Sequence, residues 1–202
     1  MSGLAVRQKF TATQEGLKGD RASNPIVFLD ITIGNKLAGR ISLELRSDLC
    51  PKTAENFRVL CTGEAGMNKD GITMMHYKGC KFHRIVKDVI CQSGDIKNCD
   101  GTWSQSIYTQ VEDQKFPDEN FILRHTGPGV LSMVNSGPDT NGSGFYLSFI
   151  ETGQWMNEKH VVFGCICNEE SLAVLFEIER QGTPSGAPRA QVLISDCGQL
   201  YP

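Results

Sequence analysis

From residue 26 onward, short apolar runs alternate with polar stretches. "IVFLDITI" (26–33) and "GRISLEL" (39–45) come first, and in the second Ile41, Leu43 and Leu45 alternate with Ser42 and Glu44. That period of two predicts a half-buried strand, and the intervening "GNKLA" suits a hairpin. "PKTAENFRVLCTG" then opens on Pro51 and ends on Gly63, which predicts a helix over 51–61 burying Ala54, Phe57, Leu60 and Cys61. Residues 64–79 have no clean period and read as a long loop. "KFHRIVKDVICQSGDI" (81–96) reads as two short strands joined by a turn, and 97–120 is again polar. Strands are expected at 129–135, 145–150, 160–167 and 190–197. A second helix is expected over 169–182, with Glu169 and Glu170 at its start, Arg180 near its end and Gly182 as terminator. Many short strands joined by long loops point to a sandwich or a barrel. Eight strands can close a barrel filled by side chains, which removes exposed edges.

The 81–96 hairpin carries two residues that do not suit a core. Arg84 sits among apolar neighbours and Gln92 in the second strand. A guanidinium there must find acceptors or an opening to water. Either it is a buried ion pair or snorkelling side chain, or it marks a shallow polar site on the outer wall of a barrel. Alternation alone does not separate the two.

Composition narrows the classes. With 202 residues, 40% hydrophobic and 21% charged, the chain fits one globular domain with a tail. We take 1–24 as a mobile polar N-terminal extension and 25–202 as the domain. A net charge of −3 without a basic stripe argues against direct nucleic-acid binding. No apolar run reaches the length a membrane span needs. The first 24 residues lack the apolar centre of a secretory signal, so a cytoplasmic or nuclear location is expected. The eight cysteines are then reduced by default. Cys165-Ile-Cys167 is not the CxxC pair of zinc sites, and no metal is expected. The chain has no GxSxG, P-loop or HExxH signature. His83 and His160 are candidate bases with no evident nucleophile.

The segments "VFLDI", "GRISLEL", "PKTAENFRVLCTGE", "FHRI", "CQSGD", "DENFILRHTGPGVLSMVNSGP", "TNGSGFYL", "KHVVFG" and "DCGQL", in that order, resemble a cyclophilin from about Asn24 to Leu200. The resemblance implies an all-β-dominated fold, a closed eight-stranded antiparallel barrel capped by two α-helices. The implied activity is cis/trans isomerisation of peptide bonds preceding proline, which assists protein folding and needs no cofactor. That bond has a rotational barrier of about 18–20 kcal/mol and exchanges unaided over tens to hundreds of seconds. A donor aimed at the proline nitrogen in the twisted state lowers the barrier without a nucleophile.

By resemblance Arg84 is that donor, Gln92 positions the substrate carbonyl and holds Arg84, and Asn135 pins the substrate backbone. Val89, Ile90, Tyr146 and Met156 match the proline pocket and His160 its rim, while Trp155 matches the contact to the inhibitor cyclosporin. His83, Gly101, Val134, Ser136 and Gly144 complete the substrate-binding set. The family usually has phenylalanine and methionine at Val89 and Ile90, phenylalanine at Tyr146, glutamine at Gly144 and alanine at Val134. The expectation is therefore retained chemistry with weakened affinity for both substrate and cyclosporin.

The insertion "MNKDGITMMH" (67–76) is similar to that of the divergent-loop cyclophilins, which implies a redox pair at Cys61 and Cys197. The acidic residue that ties down that loop is Gln105 here. The insertion near 109–115 has no counterpart we can interpret. "KDG", "VKD" and "NSGP" are similar to the small spliceosome-associated nuclear cyclophilin. Expected partners are proline-containing peptide segments, with a monomeric chain. The alternative is a proline-peptide or protein binding module with weak or no turnover, a spliceosomal complex being one setting for it.

Overall fold

The computed structural model describes residues 21–110 and 113–201. The expected mobile extension falls outside the described residues up to position 20. Arg21 and Asn24 are described and both bind the buried Glu44 carboxylate.

The strands are β1 (Ile26–Ile33), β2 (Lys36–Leu45), β3 (Arg84–Val86), β4 (Ile90–Ser93), β5 (Val130–Met133), β6 (Phe145–Ser148), β7 (Val162–Ile166) and β8 (Val192–Tyr201). Pairing puts Val27 opposite Leu43 and Leu29 opposite Ile41, so the alternating apolar side chains of β1 and β2 face one core. Helix α1 (Pro51–Thr62) buries Ala54, Phe57, Leu60 and Cys61 as its sequence period predicts. Its exposed first amides are satisfied from a distance: Lys52 N–H and Thr53 N–H donate to the Glu119 carboxylate. It stops at Gly63, whose φ of 73° is left-handed and whose N–H donates to Val59 O. Helix α3 (Glu169–Glu179) is capped by Asn168, which accepts from Ser171 N–H. Between them lies α2 (Gly153–Met156), a helix the sequence period does not reveal because four residues are barely one turn.

All strand pairs are antiparallel, in the order β3-β4-β6-β5-β7-β2-β1-β8. Among the described residues the sheet curls into a half-barrel and does not close, which corrects the expected closed barrel, and three α-helices, not two, accompany it. The reason lies in residues 79–84. Gly79 to Phe82 touches β8 through an isolated bridge, Lys81 to Leu193, and hydrogen bonds between Phe82 N and Val192 O (3.0 Å) and between Ile194 N and Cys80 O (2.9 Å). The ladder to β4 begins only at Arg84. The two pairings do not overlap in sequence, so no continuous strand spans the seam.

The core is aromatic at its centre. Phe57, Tyr77, Phe145 and Phe163 are fully buried, with ring centroids 5.0–5.3 Å apart. The Tyr77 hydroxyl donates to Ser143 O at 2.6 Å, so burying it strands no donor. Among the described residues no helix is long and apolar enough to cross a membrane.

Candidate active site

The outer face of the sheet near the seam is built from one register row. Arg84 pairs with Gln92, Gln92 with Tyr146 and Tyr146 with Ser132, so four strands present these side chains side by side. The next row, Ile85, Cys91, Leu147 and Leu131, points into the core. A period of two thus resolves the Arg84 question in favour of the outer wall.

Arg84 is exposed and makes no ion pair among the described residues. The contrast within this chain is sharp. Arg21, Arg40, Arg46, Arg58, Arg124 and Arg180 each face a carboxylate within 4 Å. Only Arg84 and Arg189, of the described arginines, do not. Arg84 is positioned by packing: a Cβ placed on Gly186 would come within 3.0 Å of its Cγ. Gln92 lies opposite Arg84 in register, but no hydrogen bond joins the two side chains. Burial pushes the Tyr146 phenol up, and the charge on Arg84 pulls it the other way.

Beside this row the apolar positions gather. Ile90 and Met156 are buried, Val89 is half-buried, and Trp155 projects from α2 at 48% exposure. The His160 ring stands edge-on to Tyr146, with centroids 5.2 Å apart, and its Nδ1 is 3.1 Å from Met133 O. Burial lowers the His160 pKa, so the ring is neutral near pH 7. Asn135 Nδ2 donates to Lys159 O at 2.6 Å and Oδ1 accepts from Gly137 N–H, which fixes the 134–137 turn. Ser136 beside it is exposed.

Val134 and Gly144 are coupled. Val134 N–H donates to Gly144 O at 2.9 Å. A Cβ on Gly144 would lie 2.9 Å from Val134 Cβ and 3.3 Å from its Cγ1. This backbone spacing has no room for a side chain at 144, so the valine and the glycine form one structural unit. Ser104 Oγ accepts from both Ser143 N–H (3.0 Å) and Gly144 N–H (3.2 Å), locking the entry to β6.

His83 and Gly101 meet on the seam side. Gly101 (φ 94°) comes so close that a Cβ would be 2.7 Å from His83 Nε2. Asp95 makes this contact possible. Its carboxylate, 1% exposed, accepts N–H bonds from Lys97, Asn98, Asp100, Gly101 and Trp103. Burial alone would raise its pKa, but these donors hold it below the usual carboxylate range. Sequence reading missed Asp95. The run of turn formers after it, Asn98, Asp100 and Gly101, is the signal that was there to use.

Cys61 and Cys197 lie elsewhere, against α1 and β8. Both are free and buried, and burial raises both thiols, Cys197 to about 12. His76 Nε2 sits 3.3 Å from Cys197 Sγ and 3.1 Å from Cys61 O. Gln105 does tie down the inserted loop, accepting from Asn68 Nδ2 at 2.8 Å, with a neutral amide where a carboxylate was the pattern. In the second insertion, Lys115 folds back to donate to Ser104 O.

Compared with known families, the chain matches the model described as cyclophilin type peptidyl-prolyl cis-trans isomerase/CLD over residues 28–199.

Proposed function

The chain belongs to the cyclophilin-type peptidyl-prolyl cis-trans isomerases, and we propose that it turns X–Pro bonds non-covalently with Arg84 as the donor. The observation that carries this is a guanidinium held on the outer wall with no carboxylate partner, in a chain that pairs almost every other described arginine. A paired guanidinium would already have spent its donors. Twisting the X–Pro bond out of plane returns the lone pair to nitrogen, and the Arg84 N–H groups bond it there more strongly than in either planar state. The pyrrolidine rests on Ile90, Tyr146 and Met156 with His160 at the rim. Gln92 orients the substrate carbonyl, and the 134–137 turn fixed by Asn135 meets the peptide backbone. A neutral His160 adds no charge to compete with Arg84.

Proton exchange spectroscopy on an Ala-Pro peptide tests this. Arg84→Ala should lose about 3–4 kcal/mol of transition-state stabilisation, two to three decades in kcat/KM. Arg84→Lys should recover only part of it, because an ammonium lacks the planar fork. Arg84→Ala at the wild-type rate would end the proposal.

The Val134–Gly144 unit favours a second reading, in which the half-barrel recognises proline segments with little turnover. It removes an amide and adds methyl groups where the peptide backbone would run, and the same change would weaken cyclosporin. Peptide binding without accelerated exchange in the wild type would select this reading.

A further inference from the structure

Next to the active site lies a second cavity of ≈ 420 Å³, lined by Lys81, His83, Cys99, Asp100, Pro188 and Arg189 among others. It opens along the seam, where the 183–192 segment runs beside β3: Ile85 N–H donates to Gly186 O and Phe82 N–H to Val192 O. His83 is the chain neighbour of Arg84, so the cavity wall begins one residue, about 3.8 Å, from the catalytic arginine. On the other side Gly186, which backs the Arg84 stem, is three residues before Arg189.

The chemistry of this cavity is cationic. Arg189 is exposed, and the one hydrogen bond its side chain makes among the described residues, from Nε to Gly182 O at 3.4 Å, is long and leaves both terminal nitrogens unused. Like Arg84, it has no carboxylate partner among the described residues. Lys81 is exposed and, among the described residues, makes no ion pair either. One acid faces the cavity, Asp100, and its Oδ1 already accepts from Thr102 N–H and Oγ1–H. An arginine fork with an ammonium beside it matches the planar oxygens of a carboxylate or a phosphoester.

We infer that the Lys81–Arg189 cavity is an anion-receiving subsite that selects proline segments carrying an acidic group two to four residues from the proline. This rests on the isomerase reading for the position of the proline. An extended peptide advances about 3.3–3.6 Å per residue, so a residue at that remove reaches the cavity while the proline sits beside Arg84. Free carboxylate and phosphoester share the recognition chemistry, and the assay separates them.

The test uses three peptides with one Ala-Pro core, placing a glutamate, a phosphoserine or a neutral glutamine at those positions on either side. Each is titrated onto the isotope-labelled full chain, and Kd is read from amide shifts, with exchange rates recorded in parallel. At least one anionic peptide should bind about five- to tenfold tighter than the neutral one at low salt. The advantage should shrink as ionic strength rises above about 0.5 M. It should fall to about one in Arg189→Ala and invert in Arg189→Glu, which favours a lysine peptide instead. A response to phosphoserine alone identifies a phosphoester site, and a response to both identifies a general acid site. Equal Kd values for all three, no binding of any, or an advantage that survives Arg189→Ala overturns the subsite. Failure of the isomerase reading is a separate result: unaccelerated exchange, with the binding ratio still decisive for the cavity.

Discussion

Asp95→Asn isolates how much a single buried carboxylate holds the seam side of the site in place. Oδ1 accepts from Lys97 and Asn98 N–H, and Oδ2 from Asp100, Gly101 and Trp103 N–H. An asparagine keeps one acceptor oxygen. Whichever way its amide turns, its NH2 faces two or three backbone donors. A hydrogen bond to a charged group is worth about 1.5–3 kcal/mol net, so losing two costs about 3–6 kcal/mol. For a domain of this size each kcal/mol is worth about 2–4 °C, which puts the expected fall in Tm at roughly 6–24 °C. The sign with pH follows from the depressed native pKa. Above the unfolded-chain value near 3.9 the carboxylate is charged in both states, and its stabilisation is fully present. As pH falls below it the unfolded chain binds a proton first, and the stabilisation is lost as pH passes through the lower native value. Wild type should therefore lose stability below about pH 4 more steeply than the variant. Thermal melts read the first quantity and urea titrations across pH 3–7 the second. Because the same carboxylate presses Gly101 onto His83, peptide affinity should drop too. A Tm within about 2 °C of wild type, or parallel pH profiles, would refute the reasoning.

The other expectations are shorter to state. Tyr146→Phe removes a hydroxyl from the wall proposed to carry the pyrrolidine, so on that proposal kcat/KM on Ala-Pro should rise a few fold, about 0.5–1 kcal/mol, in the exchange assay. Gly144→Ala should destabilise by about 1–3 kcal/mol through overpacking. Val134→Ala should rescue only part of this, since the 2.9 Å Cβ–Cβ contact outlasts the Cγ atoms, and a double-mutant cycle in urea measures the coupling. Burial holds His125 down to about 4 against the opposing bond to Asn157. The unfolded chain, titrating near 6.5, therefore takes up the proton first, and stability should fall by about 3 kcal/mol from pH 6.5 to 4. His125→Gln should flatten that interval in calorimetry.

The strands and the two longer helices were legible because each obeys one period over many residues: Ile41, Leu43 and Leu45 for a strand, Ala54, Phe57 and Leu60 for a helix. Closure was not legible. Eight strands are compatible with a closed barrel, and only the mismatch between the pairings at Phe82 and at Arg84 opens the seam. Pattern reading marked Arg84 and Gln92 as misplaced in a core but left buried pair and outer wall open. The register row through Tyr146 and Ser132, set by long-range pairing, decides between them. Resemblance supplied the remaining site positions, and the structure brings Tyr146, His160, Met156 and Asn135 together around that row. The coupling of Val134 to Gly144 was invisible as a pair. The two positions are ten apart in sequence, and only a backbone distance shows that one substitution entails the other. Asp95 was passed over because its bonds go to main-chain amides, and the only trace of them in the sequence is the run of turn formers after it, Asn98, Asp100 and Gly101.

The seam connects these features. A closed ladder would place residues 79–84 in a regular strand, with alternate side chains committed to the core and every backbone group paired along its length. Here the chain leaves β8 at Phe82 and joins β4 at Arg84. His83 falls between the two ladders, the Asp95 loop packs Gly101 against it, and the 183–192 segment can lie along the open edge of β3. That segment brings Gly186 to the Arg84 stem and Arg189 to the cavity beside it. The two described arginines without carboxylates thus flank one discontinuity in the sheet. Pairing either would be simple on a surface with 23 acidic side chains in the sequence. Leaving both unpaired at one place costs little where they stay hydrated and keeps their donors available for the two roles proposed for them.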